Sequence, residues 1–277
     1  MTGYAELLAA RFGDAAPNVA GAPDDPALAR ILGRRTHRAY ADRPVEPALV
    51  KLLCLTALSA SAKSDFQQAS IIEVTDPARR AAIAKPFPAM PWIGTSPVFL
   101  VFCGDARRLE RLATLRGHAQ SNGNLEGFFN ATVDAALALQ TFILAAETVG
   151  LGCCPISVLR NHIETVAPAL GLPDKVFPVA GLCVGWPKAA GFVSLRLPPS
   201  VTLHHDRYDD GAMPDGVARY DRAREARHAT PRDKQRAPER FGTTDDYGWS
   251  EDKTRQHAQG EGAAFPPWLR HCGFTFD

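Results

Sequence analysis

The alternation of apolar and polar positions divides the chain into short strands and amphipathic helices. From Pro26 to Gly33 the spacing is helical, and Arg34 to Tyr40 breaks it and reads as extended or looped. Glu46 opens a second helix to about Ser59, with Leu49, Leu52, Leu53 and Thr56 expected on one face. A polar loop over 61–68 leads into a strand, Ala69-Ser-Ile-Ile-Glu-Val-Thr75, and Asp76 starts a short helix. Ser96-Pro-Val-Phe-Leu-Val-Phe-Cys103 is almost wholly apolar, the pattern of a strand covered on both faces. Leu125 to Gly150 reads as a long central helix stopped by Gly150 and Gly152. Cys153 to Ile156 follows as a short strand, His162 to Leu170 as a helix, and Val176 to Gly185 as another apolar strand.

The ends differ from this middle. Residues 1–27 are rich in Ala, Pro and Gly and suggest a short helix with a loose arm. Arg219 to Arg240 holds eight Lys or Arg and four Asp or Glu with few apolar anchors, which reads as a solvated, partly helical excursion. Aromatic residues return in Phe265-Pro-Pro-Trp268 and Phe274-Thr-Phe276, and an aromatic tail is expected to dock, for example on a partner subunit. The expected organisation is an arm (1–27), a core domain (28–210) and an extension (211–277) that wraps the core or a partner.

Composition narrows the class. The 277 residues are 45% hydrophobic and carry a net charge of +1, so neither a nucleic-acid protein nor a membrane-surface protein is expected. The apolar run Phe128 to Val149 is interrupted by Asp134, Gln140 and Glu147, which favours a buried core helix over a membrane span. No signal peptide is visible, because Asp14 and Gly21-Ala-Pro-Asp-Asp25 interrupt any apolar stretch, so the expected location is cytoplasmic. The six cysteines lack C-x-x-C spacing and read as reduced thiols, three of them in apolar runs; no metal site is expected.

Four features could carry chemistry. Arg34-Arg-Thr-His-Arg38 packs four potential cations and a hydroxyl into five residues. Guanidinium forks match phosphate oxygens, so the cluster suits a phosphomonoester or carboxylate; a surface loop paired with Asp42 and Glu46 would look the same. Ser59-Ala-Ser-Ala-Lys-Ser64 is a loop of small residues whose backbone could approach a planar ligand. Gly150 to Ser157 ends a helix at glycines and continues as a proline-fixed segment, either a ring platform or an ordinary connection. Arg196, in Leu195-Arg-Leu-Pro198, sits in an apolar setting that calls for an anionic partner. Neither a Rossmann fingerprint nor a P-loop is present.

In this order the features are familiar. Arg34-Arg-Thr-His-Arg-Ala-Tyr40 with Asp42-Arg-Pro44, Ser70-Ile-Ile-Glu-Val-Thr-Asp76, Ala145-Ala-Glu147 with Gly150-Leu-Gly152, Leu159-Arg-Asn161 with Ile163-Glu164, Gly181-Leu-Cys-Val-Gly-Trp-Pro187 and Arg196-Leu-Pro198 together resemble the nitroreductase superfamily, in its oxygen-insensitive nitroreductase and NADPH–flavin reductase branch. The resemblance spans roughly 28 to 210. It implies an α+β fold, with a central, mostly antiparallel sheet flanked by helices, in an intertwined homodimer. It implies bound FMN, reduction by NADH or NADPH in a ping-pong cycle, and a small electron-poor acceptor such as a nitroaromatic or a quinone. An FMN-storage protein, or a flavoenzyme that does not use nicotinamide, is the alternative.

By the same resemblance, Arg34, Arg35 and Thr36 bind the phosphate and ribityl chain, and Arg38 sits near the pyrimidine side of the ring. Ala62, Lys63, Ser64 and Asp65 pass along the ring from one subunit, Pro155, Ile156 and Ser157 pack on it from the other, and Arg196 grips the phosphate. Three departures modify the picture. Ser194-Leu-Arg196 replaces a lysine-x-arginine, with Lys63 as a compensating cation. Met90, beside Trp92, replaces a glutamine and makes the acceptor face more apolar. Thr243-Thr-Asp-Asp246, before Trp249-Ser250, replaces arginines that hold the NADPH 2′-phosphate.

Overall fold

The computed structural model describes residues 4–276. Along the chain the helices and strands are α1 (Tyr4–Phe12), α2 (Pro26–Leu32), α3 (Pro47–Ala57), β1 (Ala69–Glu73), α4 (Pro77–Ala84), α5 (Trp92–Thr95), β2 (Val98–Asp105), α6 (Arg107–Arg116), α7 (Leu125–Thr148), β3 (Gly152–Ile156), α8 (Ile163–Leu170) and β4 (Val176–Gly185). After the sheet come α9 (Pro199–Thr202), α10 (Met213–His228), α11 (Pro238–Phe241), α12 (Trp249–Ala258) and α13 (Phe265–His271). Helix starts follow local chemistry. The Asp25 carboxylate accepts the amides of Ala27 and Leu28, Asp76 accepts those of Ala78 and Arg79, and Asn124 accepts that of Gly127. Each such cap is worth about 1 kcal/mol.

The structured residues form two compact units. Among the described residues, one comprises 4–35 and 192–261, the other 36–191 and 262–276. Residues 28–35 and 192–210, expected in the core domain, thus group with the first unit, and 262–276 with the second.

The second unit is built on a four-stranded sheet in the order β1-β2-β4-β3, antiparallel throughout. Every residue of β2 is buried, as its unbroken apolar run predicts. Side chains alternate across it: Val98, Leu100 and Phe102 join a core with α3 and α7, whereas Phe99, Val101 and Cys103 join a second core with α4, α5 and α8. Helices therefore cover both faces, which is the expected α+β class. The aromatic tail docks within this unit rather than being left for a partner. Phe274 packs edge-on against Phe177 and Phe128, at ring separations of 5.5 and 5.8 Å.

Two readings of helical faces need correction. In α3 the buried residues are Val50, Leu53 and Ala57, whereas Leu52 is 59% exposed, so the inward face is rotated from the expected one. In α7, Ala131, Ala135, Ala138, Phe142 and Ala146 line the core, and the apolar side chains Leu125, Phe129, Val133 and Leu137 face outward in a four-residue stripe. Helix α7 is long and apolar enough to cross a membrane, but its small-residue face is committed to the sheet.

In the first unit, α1 is the short helix expected near the start of the chain, and it is packed: Leu8 and Arg11 are buried. The first half of the charged excursion lies in α10, which buries only Gly216 and Tyr220. The Tyr220 hydroxyl donates to the Leu195 carbonyl at 3.3 Å, and its ring meets Trp249 edge-on. The amide of Ser250 donates to Asp221 at 3.0 Å, so the Trp-Ser pair is anchored on α10.

Candidate functional site

In the second unit the polar loop after α3 is the most constrained segment. Ser64, Asp65 and Gln67 all adopt left-handed backbone, with φ of 48°, 58° and 51°. Each is a non-glycine residue paying on the order of 1 kcal/mol for that conformation. Two ionic side chains hold the strain in place. Asp134, buried in the middle of α7, accepts the Lys63 amide at one oxygen and the Gln68 amide at the other, both at 2.9 Å. Arg108 on α6 donates to the Gln67 carbonyl and to Ser70 Oγ, and pairs with Asp105 at 2.9 Å. A carboxylate thus captures two amides and a guanidinium captures the neighbouring carbonyl. The side chains of Lys63, Ser64 and Asp65 are left exposed, with Ala62 half-buried. The loop borders a cavity of about 560 Å³, lined by the small residues Ser59 to Ala62 and by Asp134.

The same unit brings Thr36 to the strand that carries the other candidate ring contacts. Thr36 pairs with Cys153 in a parallel bridge, and the His37 amide donates to the Cys153 carbonyl at 3.0 Å. Close approach explains the glycines here. A Cβ on Gly152 would lie 2.8 Å from the His37 side chain, and Gly150 turns the chain out of α7 at φ 88°. Along β3 the faces alternate, so Ile156 enters the core and Pro155 is exposed, as is Ser157 just beyond. Ile156 can therefore offer a ligand its backbone but not its side chain.

Arg38 follows two residues after Thr36. It is exposed, its guanidinium lies 5.7 Å from the Trp92 ring centre, and it lines a groove of about 620 Å³ with Arg43 and Lys188. Met90 and Trp92 pack against the core on that face of the sheet. Tyr40 anchors the segment, its hydroxyl lying 2.7 Å from the His37 carbonyl and 3.0 Å from that of Cys183, and burial pushes its pKa far up, so it stays neutral. Burial likewise raises the thiols of Cys103 and Cys183 to about 12 and that of Cys54 to about 11. Protonated thiols are poor nucleophiles, so these three are structural.

In the first unit, Arg34 and Arg35 are half-buried. Arg196 is exposed rather than set in an apolar pocket, and its guanidinium reaches Ser194 Oγ and the Leu195 carbonyl, both at 3.2 Å. The expected buried anionic partner is not needed, because water solvates the charge. Arg11 lies between the two segments that carry these arginines. Its guanidinium donates to the carbonyls of Arg34 at 2.7 Å and Ser194 at 2.9 Å. The acidic loop is also ordered: the Gln235 amide group pairs with both backbone groups of Thr244, at 2.6 and 3.0 Å, and Asp245 pairs with Arg232 at 2.6 Å.

Asp134, Arg108 and Arg11, which hold the candidate segments, were not among the site residues singled out from the sequence. Asp134 had a signal, a lone carboxylate in the middle of an apolar helix, where an unpartnered charge would be costly. Arg11 had none, since its partners are backbone carbonyls, and for Arg108 the nearby Asp105 offered only an ordinary i,i+3 pair while the Gln67 carbonyl lies 41 positions away.

Comparison with known proteins accounts for this arrangement. The model of the nitroreductase family matches residues 31–186. The FMN reductase (NADPH) of Bacillus subtilis is 35% identical over 181 residues, covering 65% of this chain and 73% of that protein. The oxygen-insensitive NADPH nitroreductase of Salmonella typhimurium is 34% identical over 198 residues, covering 71% and 80%. The crystal structure of nitroreductase A from Vibrio parahaemolyticus superposes with a TM-score of 0.80 at 28% identity, covering 92% of this chain and all of that one. With more than half of its length matched by the family model and its sheet and helices shared with a solved member, the chain belongs to the nitroreductase family.

Proposed function

We propose that this protein is an FMN-dependent oxidoreductase that takes electrons from NADH or NADPH and passes them to a small electron-poor acceptor, such as a nitroaromatic or a quinone, in a ping-pong cycle. The observation that carries the reading is the loop 62–67, held in left-handed backbone by Asp134 and Arg108 so that small side chains line an open cavity. Retained backbone strain of this kind is concentrated at ligand sites. Family membership and the names of the relatives, FMN reductase and NADPH nitroreductase, point the same way.

The donor set fits FMN. Three guanidiniums, of Arg34, Arg35 and Arg196, suit a terminal phosphate, and the Thr36 hydroxyl suits the ribityl chain. Ala62, Lys63, Ser64 and Asp65 would lie along the ring, as would the backbone of Pro155, Ile156 and Ser157. Bound FMN supplies the redox chemistry, accepting two electrons and releasing them to an acceptor. The protein's part is placement and electrostatics. Arg38, exposed and able to rotate from Trp92, supplies a positive charge to the pyrimidine end, and Lys63 adds a second cation on the loop. With no titrating side chain at the ring assigned to a proton step, catalysis rests on these contacts.

The working unit in this reading is a homodimer in the cytoplasm. The outward stripe Leu125, Phe129, Val133 and Leu137 on α7, with Leu52 and Leu55 also exposed on α3, is the kind of apolar surface a second copy covers. The test is steady-state oxidation of NADH and of NADPH by the flavin-loaded protein with menadione as acceptor. Saturable turnover supports the reading. Bound flavin with no oxidation of either nicotinamide favours the alternative, a flavin-storage protein or a flavoenzyme with another reductant.

A further inference from the structure

Helix α1 lies outside the residues matched by the family model, which begin at 31. It nonetheless ends on a side chain that touches both cation-bearing segments of its unit. Arg11 is 6% exposed, and its guanidinium is spent on backbone carbonyls. Nε and Nη2 donate to the Leu32 carbonyl at 3.2 and 2.7 Å, Nη2 also to the Arg34 carbonyl at 2.7 Å, and Nη1 to the Ser194 carbonyl at 2.9 Å. The bond is returned on the other side: the Arg196 amide donates to the Arg11 carbonyl at 2.7 Å. One residue therefore fixes the backbone immediately beside Arg34 and Arg35 and the backbone of Arg196.

The helix that carries Arg11 is itself held. Arg227, on α10, donates to the carbonyls of Ala10 at 2.8 Å and Ala9 at 3.2 Å, the groups left unsatisfied at the C-terminal end of α1. A cation there also complements the helix dipole. On the adjoining side, the Leu195 carbonyl accepts from Tyr220 of α10 at 3.3 Å.

We infer that Arg11 is a positioning residue for phosphate recognition: it sets the spacing of the Arg34–Arg35 and Arg196 segments so that their guanidiniums converge on a terminal phosphate, with α1 and α10 as its scaffold. The inference rests on the proposed FMN reading, which assigns those three arginines to the phosphate. A buried guanidinium making several charge-assisted bonds to two chain segments is a rigid spacer, since each donor direction is fixed by the planar group. Lysine cannot replace it, because a single ammonium lacks the fork that reaches both segments.

The test compares binding of FMN with binding of riboflavin, which has the same ring and ribityl chain and no phosphate. Dissociation constants are read from flavin fluorescence quenching by the full-length apoprotein, for wild type and for Arg196→Ala, Arg11→Ala, Arg11→Lys and Arg227→Ala. Wild type should prefer FMN, and Arg196→Ala should lose much of that preference. Both Arg11 variants should weaken FMN roughly ten- to a hundredfold while leaving riboflavin close to wild type, as loss of a group that orients ligand-binding side chains does. Arg227→Ala should show the same selectivity to a smaller degree. Wild-type far-UV circular dichroism and a cooperative thermal transition show that the variants are folded; if Arg11→Ala fails that check, Arg11→Lys and Arg227→Ala decide. Equal loss of both flavins in the folded variants, or an unchanged preference for FMN, overturns the inference while leaving the phosphate assignment intact. An unchanged preference in Arg196→Ala instead removes the phosphate assignment, and the inference falls with it.

Discussion

The Asp134 carboxylate accepts the backbone amide of Lys63 at 2.9 Å, across 71 positions of sequence, and its second oxygen accepts the amide of Gln68. Helix α7 thus sets the shape of the loop proposed to lie along the flavin. Asp134→Asn would turn one acceptor into an N–H₂ facing an N–H, leaving a buried donor unpaired at a cost of about 1–3 kcal/mol. We expect a lower urea midpoint, faster proteolysis confined to 61–68 and weaker FMN binding. Wild-type protease resistance of that loop in the variant would show that Asp134 does not hold it.

The outward stripe on α7 predicts association. Phe129 is 59% exposed, and a stable pairing needs roughly 1,200–2,000 Å² of buried surface, which a 24-residue helix with apolar neighbours can supply. Light scattering at micromolar concentration should give a dimer, and Phe129→Glu should shift it towards monomer with loss of flavin. A wild-type monomer that retains FMN would contradict this.

Alkaline stability follows from the thiols. Burial raises Cys183 and Cys103 from an ordinary 9.0 to about 12. The folded-state value lies above the unfolded one, so the contribution is complete below pH 9 and is lost as pH rises from 9 towards 12. By about pH 10 each thiol costs on the order of 1 kcal/mol. Urea unfolding across this range should show the loss, and Cys183→Ala should flatten it. An equally steep fall in the variant would put the alkaline sensitivity elsewhere.

The pattern of burial shows how far the chain could be read from its residues alone. Runs such as Val98 to Cys103 announce a doubly covered strand, and Gly150 and Gly152 announce the turn out of α7, because periodicity and backbone freedom are local properties. The inward face of α3 and the exposure of Arg196 were misjudged, because each depends on what packs nearby. The ties made by Asp134, Arg108 and Arg11 join segments far apart in sequence, mostly through backbone groups, which every residue type carries alike. Side-chain identity leaves no trace of such partners.

Asp245 and Asp246 predict the reductant. Relatives named for NADPH set one expectation, but this loop carries carboxylates, and Arg232, paired with Asp245 at 2.6 Å in an exposed bridge, offsets their charge only in part. We expect kcat/KM at low salt to show no NADPH advantage and a mild, few-fold preference for NADH, consistent with about 1 kcal/mol of surface repulsion. Asp245→Arg should move the preference towards NADPH. A large NADPH advantage in wild type would mean that this loop does not meet the 2′-phosphate.

A flavin mononucleotide bound through its terminal phosphate is tested most simply by identifying the flavin that the purified protein carries. A visible spectrum followed by acid release and chromatography should show flavin absorbance and recover FMN, and anaerobic addition of NADH or NADPH should bleach the band. Recovery of FAD, or a protein that binds no flavin when FMN is supplied, would contradict the account.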